Sequence, residues 1–316
     1  MAEIITLGET MVSFTPQEHT GLAYGPALKM RIAGAESNTA IGLCRMGHSV
    51  AFISRVGTDS LGQFVLRSIR AEGVDTTLIG QDAEHPTGIM FKEPKLHAET
   101  TVYYYRTNSA ASHMSCEDIP EQEIEKAEIL HFTGITPILS PSCRRMVFHA
   151  MEIAAAHGCA VSFDPNIRLK LWKDQDYTPL MLECISRASY LLAGLDECKI
   201  LYHTDDIEHI AKQAFVSDRL QCLALKDGSR GAWICDRQGI CQIPPAECAC
   251  VDPVGAGDAF NAGFLSGILE GKSFVDSGVL GAFCGARATE TYGDTEGLLT
   301  KAELEYALQH INPVCR

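Results

Sequence analysis

The chain has 316 residues, of which 46% are hydrophobic and 21% are charged. These fractions are typical of a globular protein and exclude a disordered or fibrous chain. There are 26 Lys and Arg residues against 40 Asp and Glu residues, which gives a formal net charge of −14. Nucleic acids and anionic membranes repel so acidic a chain, so we expect neither as a partner. Any anionic ligand must be held by a few local basic groups.

The thirteen cysteines are scattered singly, and no Cys-x-x-Cys pair occurs. We therefore expect reduced, mostly buried thiols and neither a disulfide framework nor a zinc site. The amino terminus lacks a basic segment followed by a long apolar run, so no signal peptide is visible. No stretch reaches the roughly eighteen apolar residues that a membrane span needs. These features predict a cytoplasmic protein.

Short apolar segments alternate with amphipathic segments along most of the chain, which is typical of buried strands alternating with helices. Predicted strands cover residues 4–7, 51–56, 129–132, 160–163, 190–193 and 223–225, and predicted helices cover residues 36–46, 61–72, 140–157 and 195–201. This order predicts an α/β fold with a doubly wound, mostly parallel central sheet flanked by helices. Residues 231–235 and 239–243 predict a hairpin, and three helical segments follow it.

Two regions depart from the alternation. Residues 87–92 and 100–106 are successive β-type segments with no helix between them, and residues 11–32 also resemble strands and turns. We expect them to form a small antiparallel sheet, made of about residues 11–32 and 87–112, inserted in a single domain of residues 1–316. This sheet would be a lid over the carboxyl ends of the main strands, where open α/β sheets bind ligands.

The segment Asp-Pro-Val-Gly-Ala-Gly-Asp, which ends at Asp258, follows a strand and opens an amphipathic helix. Gly255 and Gly257 leave backbone N–H groups uncovered, so an anion can approach them at the positive end of the helix dipole. Asp258 lies in the first turn, where an ionised carboxylate could accept a proton from a hydroxyl beside a bound phosphate. An ordinary N-terminal Asp is the alternative. No Walker P-loop occurs, and Phe260 stands where a dinucleotide fingerprint needs a third glycine.

Two other turns of small residues share this character. Residues 33–40, Ala-Gly-Ala-Glu-Ser-Asn-Thr-Ala, enter a helix, and residues 57–62, Gly-Thr-Asp-Ser-Leu-Gly, follow a strand. With the segment at Asp258, they resemble the two signature regions of the ribokinase family, the PfkB carbohydrate kinases. The resemblance runs from Gly8 to about Leu298. It implies a kinase that phosphorylates a sugar hydroxyl with ATP and Mg²⁺, on a doubly wound core with a β-sheet lid.

The resemblance also implies roles by position. Asp258 would be the catalytic base, the amides of Gly255, Ala256 and Gly257 would form an anion hole, and Asp252 would support this loop and face the phosphates. Residues 226–232, Lys-Asp-Gly-Ser-Arg-Gly-Ala, resemble the nucleotide-facing turn of the family, although a plain approach to a hairpin is the alternative. The residues expected at the nucleotide are Asn166, Lys226, Gly228, Gly231, Gly255 and Gly257.

One departure concerns the metal. The Asn-x-x-Glu motif of the family, which is linked to metal and phosphate handling, aligns with residues 194–197, Gly-Leu-Asp-Glu. Glu197 is retained, but Gly194 replaces the Asn, so the contact of that Asn is missing. The resemblance therefore implies only an indirect role for Glu197 at the metal.

The aromatic segment Tyr-Tyr-Tyr-Arg at residues 103–106 bears on the acceptor. Strand alternation puts Tyr104 and Arg106 on one face, which can close on a substrate, and Tyr103 and Tyr105 on the other. The second face can pack within the lid or against another copy of the chain, so we expect a homo-oligomer that pairs through its lids. A simply packed aromatic strand is the alternative.

Arg168 follows a buried strand in the run Asp-Pro-Asn-Ile-Arg, where Pro165 ends the strand and directs Arg168 into the crevice. A structural Asp–Arg pair is the alternative. Two arginines at one small ligand indicate a carboxylate, because a neutral hexose gives a guanidinium no charge partner. Asp294, in a later turn, is a candidate acceptor of a substrate hydroxyl, and an ordinary turn is the alternative there.

This combination resembles the 2-keto-3-deoxygluconate kinases within the family. The residues expected to bind the substrate are then Gly34, Asn38, Tyr104, Arg106, Arg168 and Asp294. Tyr104 and Arg106 would hold the keto-acid end, and the terminal hydroxyl would receive the phosphoryl group to give a 6-phosphate. A fructokinase or another sugar kinase is the alternative, and a catalytically silent sugar sensor is a further one.

Overall fold

The structure is a computed structural model, and it describes residues 2–17, 21–95 and 98–310. The strands of these residues are β1 (Ile4–Leu7), β2 (Met11–Pro16), β3 (Leu28–Ala33), β4 (Val50–Gly57), β5 (Ile79–Asp82), β6 (Ile89–Lys95), β7 (Ala98–Tyr105), β8 (Ile129–Thr133), β9 (Ala160–Asp164), β10 (Tyr190–Gly194), β11 (Cys222–Lys226), β12 (Ala232–Cys235) and β13 (Ile240–Ile243). The helices are α1 (Ala35–Arg45), α2 (Ser60–Ala71), α3 (Glu121–Ile124), α4 (Thr136–Leu139), α5 (Pro141–His157), α6 (Leu169–Trp172), α7 (Thr178–Arg187), α8 (Leu195–Tyr202), α9 (Ile207–Ala214), α10 (Ala256–Leu269), α11 (Phe274–Ala288) and α12 (Lys301–His310).

Nine of the described strands form one sheet, in the order β13-β12-β11-β10-β9-β8-β1-β4-β5. β1 pairs in parallel with β4 and with β8, so that Ile4 lies opposite both Val50 and Ile129. Parallel pairing continues through β9, β10 and β11, whereas β12 and β13 add antiparallel strands at one edge. The predicted mostly parallel sheet and the predicted hairpin are therefore confirmed.

Helices cover both faces of this sheet. Side chains alternate along each strand, so each face presents apolar residues that pack against helices in one of two apolar clusters. Ile5 and Leu7 of β1 belong to the cluster formed with α5, α7, α8 and α9. Ile4 belongs to the cluster formed with α1, α2, α10, α11 and α12. Within the described residues, none of the helices has the length and apolarity needed to cross a membrane.

The predicted core strands and helices match the observed ones to within one residue at each end. Apolar runs bounded by polar turns explain this agreement, since the interior strands are buried on both faces. β5 was not predicted. Its sequence, Ile-Gly-Gln-Asp, buries only Ile79 fully, because it lies at the sheet edge beside β4.

The remaining four strands form a small sheet in the order β3-β2-β6-β7. β2 pairs antiparallel with β3, and β6 pairs antiparallel with β7. The central pair, β2 and β6, is parallel. The prediction of an antiparallel sheet is thus wrong for this pair. The reason is that β2 and β6 each leave the large sheet after a parallel strand and run outward in the same direction. Residues 18–20 and 96–97 of the expected lid segments lie outside the described residues.

Candidate active site

A cavity of about 730 Å³ lies at the carboxyl ends of the central strands, with the small sheet as one wall. Asp164, Gly194 and Lys226, the last residues of β9, β10 and β11, line its base. The residues that the sequence analysis assigned to the substrate all line this cavity, and they are Gly34, Asn38, Tyr104, Arg106, Arg168 and Asp294. The folded chain therefore brings together residues from four separate parts of the sequence.

The residues expected at the nucleotide divide into two groups. The cavity is lined by four of them, Asn166, Lys226, Gly255 and Gly257. The other two, Gly228 and Gly231, belong to the 3₁₀ turn that follows β11 and do not line the cavity. A Cβ atom on Gly231 would lie 2.1 Å from the carbonyl oxygen of Ile243. Packing against the end of β13 is thus sufficient to require that glycine.

Asp258 lies in the first turn of α10 and is partly buried. Its Oδ2 accepts a 2.7 Å hydrogen bond from Nδ2 of Asn38, which lies in α1. Burial and the charge of Asp164 raise the pKa of Asp258 to about 7, against the opposing effects of the Asn38 bond and of the cations Arg168 and Lys226. A carboxyl group that titrates near neutral pH suits the transfer of a proton from a hydroxyl.

The turn before Asp258 contains two cavity-lining glycines in different environments. Gly255 has a φ of 82°, and a Cβ atom on it would lie 2.7 Å from the carbonyl oxygen of Asp294, so this position requires glycine. A Cβ atom on Gly257 would have only Nζ of Lys226 within 4 Å, at 3.7 Å. Gly257 therefore leaves open space at the amino terminus of α10, where an anion can approach the backbone amides.

The other two residues predicted in this turn do not line the cavity. The amide of Ala256 donates to the carbonyl oxygen of Pro253 at 3.3 Å, so it is engaged within the turn. Asp252 accepts a 3.1 Å hydrogen bond from the amide of Val254 and a longer one of 3.5 Å from the amide of Gly293. Asp252 thus supports the loop, as its position in the family implies, through backbone contacts.

Arg106 has a charge partner inside the protein. Its side chain is 8% exposed, and its Nε donates to Oε2 of Glu9 at 2.7 Å, with Nη2 in contact with the same oxygen. Ser109 donates to the other oxygen of Glu9 at 2.6 Å, and the Arg106 guanidinium lies 5.8 Å from the ring centroid of Tyr104. Glu9 was not predicted as a site residue. Because Glu9 already neutralises Arg106, this guanidinium does not by itself require a charged ligand.

Arg168 and Asp294 differ in their charge partners. Arg168 is exposed at the cavity, and no carboxylate of the described residues lies within ion-pair distance of it. Asp294 forms an ion pair with Lys92 of β6, a residue that the sequence analysis did not assign to the site. Strand alternation offered a signal for it, since Lys92 lies two residues after Met90 and both line the cavity.

A polar cluster lies at the base of the cavity. Asp164 Oδ2 accepts from Nζ of Lys226 and from Nδ2 of Asn261, each at 2.7 Å. Burial opposes ionisation of Asp164, but Lys226 and Asn261 hold its pKa below the usual value. Neither Asp164 nor Asn261 was assigned to the site from the sequence. A polar residue that ends an apolar strand, such as Asp164, was the available signal.

Glu197 accepts hydrogen bonds from two backbone amides, that of Ile167 at 2.6 Å and that of Gly194 at 2.7 Å. Burial and the charge of Asp164 raise its pKa. No cluster of three or more potential metal ligands is found within the described part of the chain. Each oxygen of Glu197 already binds an amide. Glu197 therefore fits an indirect contact with a metal ion, through water, better than direct coordination.

The chain is similar to known sugar kinases over most of its length. The chain is 35% identical to the 2-dehydro-3-deoxygluconokinase of Bacillus subtilis (strain 168) over 96% of this chain and 94% of that protein. It is 30% identical to a fructokinase of Escherichia coli over 96% of this chain and 98% of that protein. The crystal structure of a PfkB protein from Polaromonas sp. JS666 superimposes with a TM-score of 0.86, at 35% identity, over 96% and 99% of the two chains. The sequence profile of pfkB family carbohydrate kinases matches residues 1–301, and the chain belongs to this family of carbohydrate kinases.

Proposed function

We propose that this carbohydrate kinase transfers the terminal phosphoryl group of ATP to 2-keto-3-deoxygluconate and produces the 6-phosphate. The observation that carries the proposal is Arg168, an exposed cation that shares the cavity with Asp258 and has no carboxylate partner in the described chain. An acidic sugar supplies the negative charge that this guanidinium lacks. The Bacillus subtilis relative, whose name states 2-dehydro-3-deoxygluconate, the same compound, supports this substrate.

The remaining substrate contacts follow from the cavity wall. Arg168 receives the carboxylate, and Arg106 contributes through Nη1, which takes no part in the two contacts with Glu9. Gly34 lies beneath the sugar, and a Cβ atom there would lie 2.5 Å from the carbonyl oxygen of Glu9. Asn38 is 2% exposed and its Oδ1 has no hydrogen-bond partner, so this oxygen is available to a sugar hydroxyl. Tyr104 packs against the keto-acid end.

The proposed reaction is a direct in-line transfer. Asp258 accepts the proton of the terminal hydroxyl as that oxygen attacks the phosphorus, and its pKa near 7 allows it to be ionised at neutral pH. The amides of Gly255 and Gly257 stabilise the charge on the transferred group, and each such donor is worth roughly 3–4 kcal/mol of the barrier. The small sheet acts as a lid that excludes water.

The nucleotide is proposed to lie over Asn166 and Lys226, beside the amino terminus of α10. Its far end would extend beyond the cavity to the 3₁₀ turn of Gly228 and Gly231, which does not line the cavity. Mg²⁺ would neutralise phosphate charge there, with Glu197 holding it through water.

A second candidate function is fructokinase. The specific observation in its favour is the ion pair between Arg106 and Glu9, because a paired guanidinium does not require an acidic substrate. The fructokinase of Escherichia coli, at 30% identity, is also similar over nearly the whole chain. On this alternative Arg168 would serve the nucleotide phosphates.

The outer face of the small sheet supports a homo-oligomer. Tyr103 and Tyr105 are 43% and 63% exposed, and Phe91 stacks on Phe14 with their ring centroids 5.3 Å apart. Tyr105 packs edge-on against Phe91. An aromatic face of this kind is a liability for aggregation in a monomer, so we propose that two copies pair through it.

The function is tested by measuring ADP release with a panel of 2-keto-3-deoxygluconate, its galactonate epimer, fructose, ribose and gluconate. We expect the highest kcat/KM with one of the two keto-deoxy acids. A higher kcat/KM with fructose would establish the fructokinase alternative. Absence of ADP release with every sugar, together with sugar binding by calorimetry, would identify a silent sensor.

A further inference from the structure

The loop of residues 293–297 lies between the turn that precedes Asp258 and the small sheet. On the side of the turn, the carbonyl oxygen of Asp294 packs against Gly255, where it would lie 2.7 Å from an added Cβ atom. The neighbouring amide of Gly293 donates to Asp252 at 3.5 Å. The backbone of this loop therefore supports the residues that are proposed to hold the transferred phosphoryl group.

On the side of the small sheet, the same loop forms two ion pairs. Lys92 of β6 pairs with Asp294, and Arg31 of β3 pairs with Glu296. The side chains of Lys92 and Asp294 are 12% and 10% exposed, whereas those of Arg31 and Glu296 are 20% and 37% exposed. Removing one partner of a desolvated pair leaves an uncompensated charge, while an exposed pair contributes little. The pair of Lys92 and Asp294 is thus the stronger of the two links.

The loop is also fixed to the core of the protein. Nη1 of Arg45, in α1, donates to the carbonyl oxygens of Thr295 and Leu298, each at 2.8 Å. Because the loop is held by α1, it does not simply follow the small sheet. A movement of β6 away from the cavity must break the contact between Lys92 and Asp294 or displace the loop against Gly255.

We propose that Lys92 is a positioning residue that couples closure of the small sheet to the phosphoryl-binding turn through Asp294. With the sheet closed, the pair fixes the loop, and the loop holds Gly255 in place for transfer. With the sheet open, the pair is broken and the turn loses this support. Transfer is then favoured only when the cavity is closed to water. The proposal does not depend on which sugar is the acceptor.

The test compares Lys92→Met, which keeps the length of the side chain but removes its charge, with the matched control Arg31→Met. Both are assayed with the acceptor that the wild type turns over fastest and with a second, uncharged sugar. For Lys92→Met we expect kcat/KM for both acceptors to fall by about ten- to a hundredfold, with a lower kcat, and more ADP than sugar phosphate to form. Arg31→Met should stay within about twofold of wild type, and Lys92→Arg should restore most of the activity.

Three outcomes would overturn the proposal. They are an unchanged kcat/KM and product ratio in Lys92→Met, equal losses in both Met variants, and a loss confined to an acidic acceptor. The last would make Lys92 a ligand of the substrate carboxylate. Thermal unfolding separates these effects from misfolding, and the double variant Lys92→Met/Asp294→Asn should be no worse than the poorer single variant. Failure of the proposed substrate would be seen in the wild type alone, before any variant is made.

Discussion

The side-chain amide of Asn38 donates a 2.7 Å hydrogen bond to Oδ2 of Asp258, and the two residues lie 220 positions apart in the chain. This bond joins the first turn of α1 to the first turn of α10, so the two small-residue turns recognised in the sequence form one site. It also holds the Asp258 carboxylate in a fixed orientation and partly offsets the effect of burial on its pKa.

Asp258→Asn removes the proposed base and keeps the shape of the side chain. We expect kcat to fall by about 10²–10⁴, the usual contribution of a general base. Nucleotide affinity, measured by calorimetric titration, should change little, because the backbone amides at the amino terminus of α10 are unchanged. Turnover at the wild-type rate would remove Asp258 from this role.

The pH dependence of kcat/KM should report the ionisation of Asp258 in the free enzyme. Because the carboxylate is the active form, kcat/KM should fall as the pH drops below about 7, the pKa of this group. Asn38→Ala removes a bond that lowers this pKa, so the acidic limb should move to higher pH. Thr39→Val is the matched control, since Thr39 donates only to the backbone oxygen of Asp258, at 3.4 Å. A limb that moves equally in both variants would contradict this assignment.

The two glycines of the turn should respond differently to Ala substitution. Gly255→Ala places a side chain at a φ of 82° and against Asp294, so we expect a lower melting temperature as well as a lower kcat. Gly257→Ala has room in the protein, so its melting temperature should be unchanged or higher. Its kcat should still fall, because the methyl group covers the surface that an anion approaches. Wild-type kcat in Gly257→Ala would argue against the anion hole.

Substitution of Arg168 should change substrate specificity, whereas substitution of Arg106 should change the stability of the protein. Arg168→Leu should raise KM for a keto-deoxy acid by about tenfold to a few hundredfold, since a charge-assisted hydrogen bond is worth roughly 1.5–3 kcal/mol. Slow turnover of fructose should be unaffected by this change. Equal losses with the acid and with fructose would show that Arg168 does not bind the substrate carboxylate.

Arg106→Leu, in contrast, leaves the buried carboxylate of Glu9 without its partner. We expect a loss of about 3–5 kcal/mol in the free energy of unfolding, measured by denaturant titration. The double variant Glu9→Gln/Arg106→Leu should recover part of this loss, because the stranded charge is gone. If Arg106→Leu were as stable as the wild type, the ion pair would contribute nothing to the free energy of unfolding.

Light scattering at micromolar concentration should give the mass of a dimer or a larger assembly. Tyr105→Glu, on the outer face of the small sheet, should lower this mass towards that of a monomer, because it places a charge in the apolar face. Val216→Glu is the control, since Val216 is 79% exposed and lies outside the small sheet. A monomeric wild type would contradict pairing through the sheet.

The sequence alone was sufficient for the core elements and for the turn that ends at Asp258. Both depend on residues that are close together in the chain. A run of apolar residues bounded by polar turns specifies a strand buried on two faces, and Gly-Ala-Gly-Asp specifies the start of a helix whose amino terminus an anion can approach. That helix, α10, was expected to be amphipathic but is buried from Ala259 to Gly267. The edge strand β5 was missed because it lacks such a run.

Only the tertiary structure shows which charged side chains lie close enough to form ion pairs. Arg106 lies 97 residues from Glu9, and Lys92 lies 202 residues from Asp294, so no local pattern relates them. The same is true of the parallel pairing of β2 with β6, which depends on where each strand leaves the large sheet. Electrostatic pairing depends on distance through space, whereas periodicity reports only which side of an element a residue occupies. The sequence therefore identified the arginine at residue 106, and the fold determined that it is neutralised by Glu9, whereas Arg168 has no carboxylate partner among the described residues.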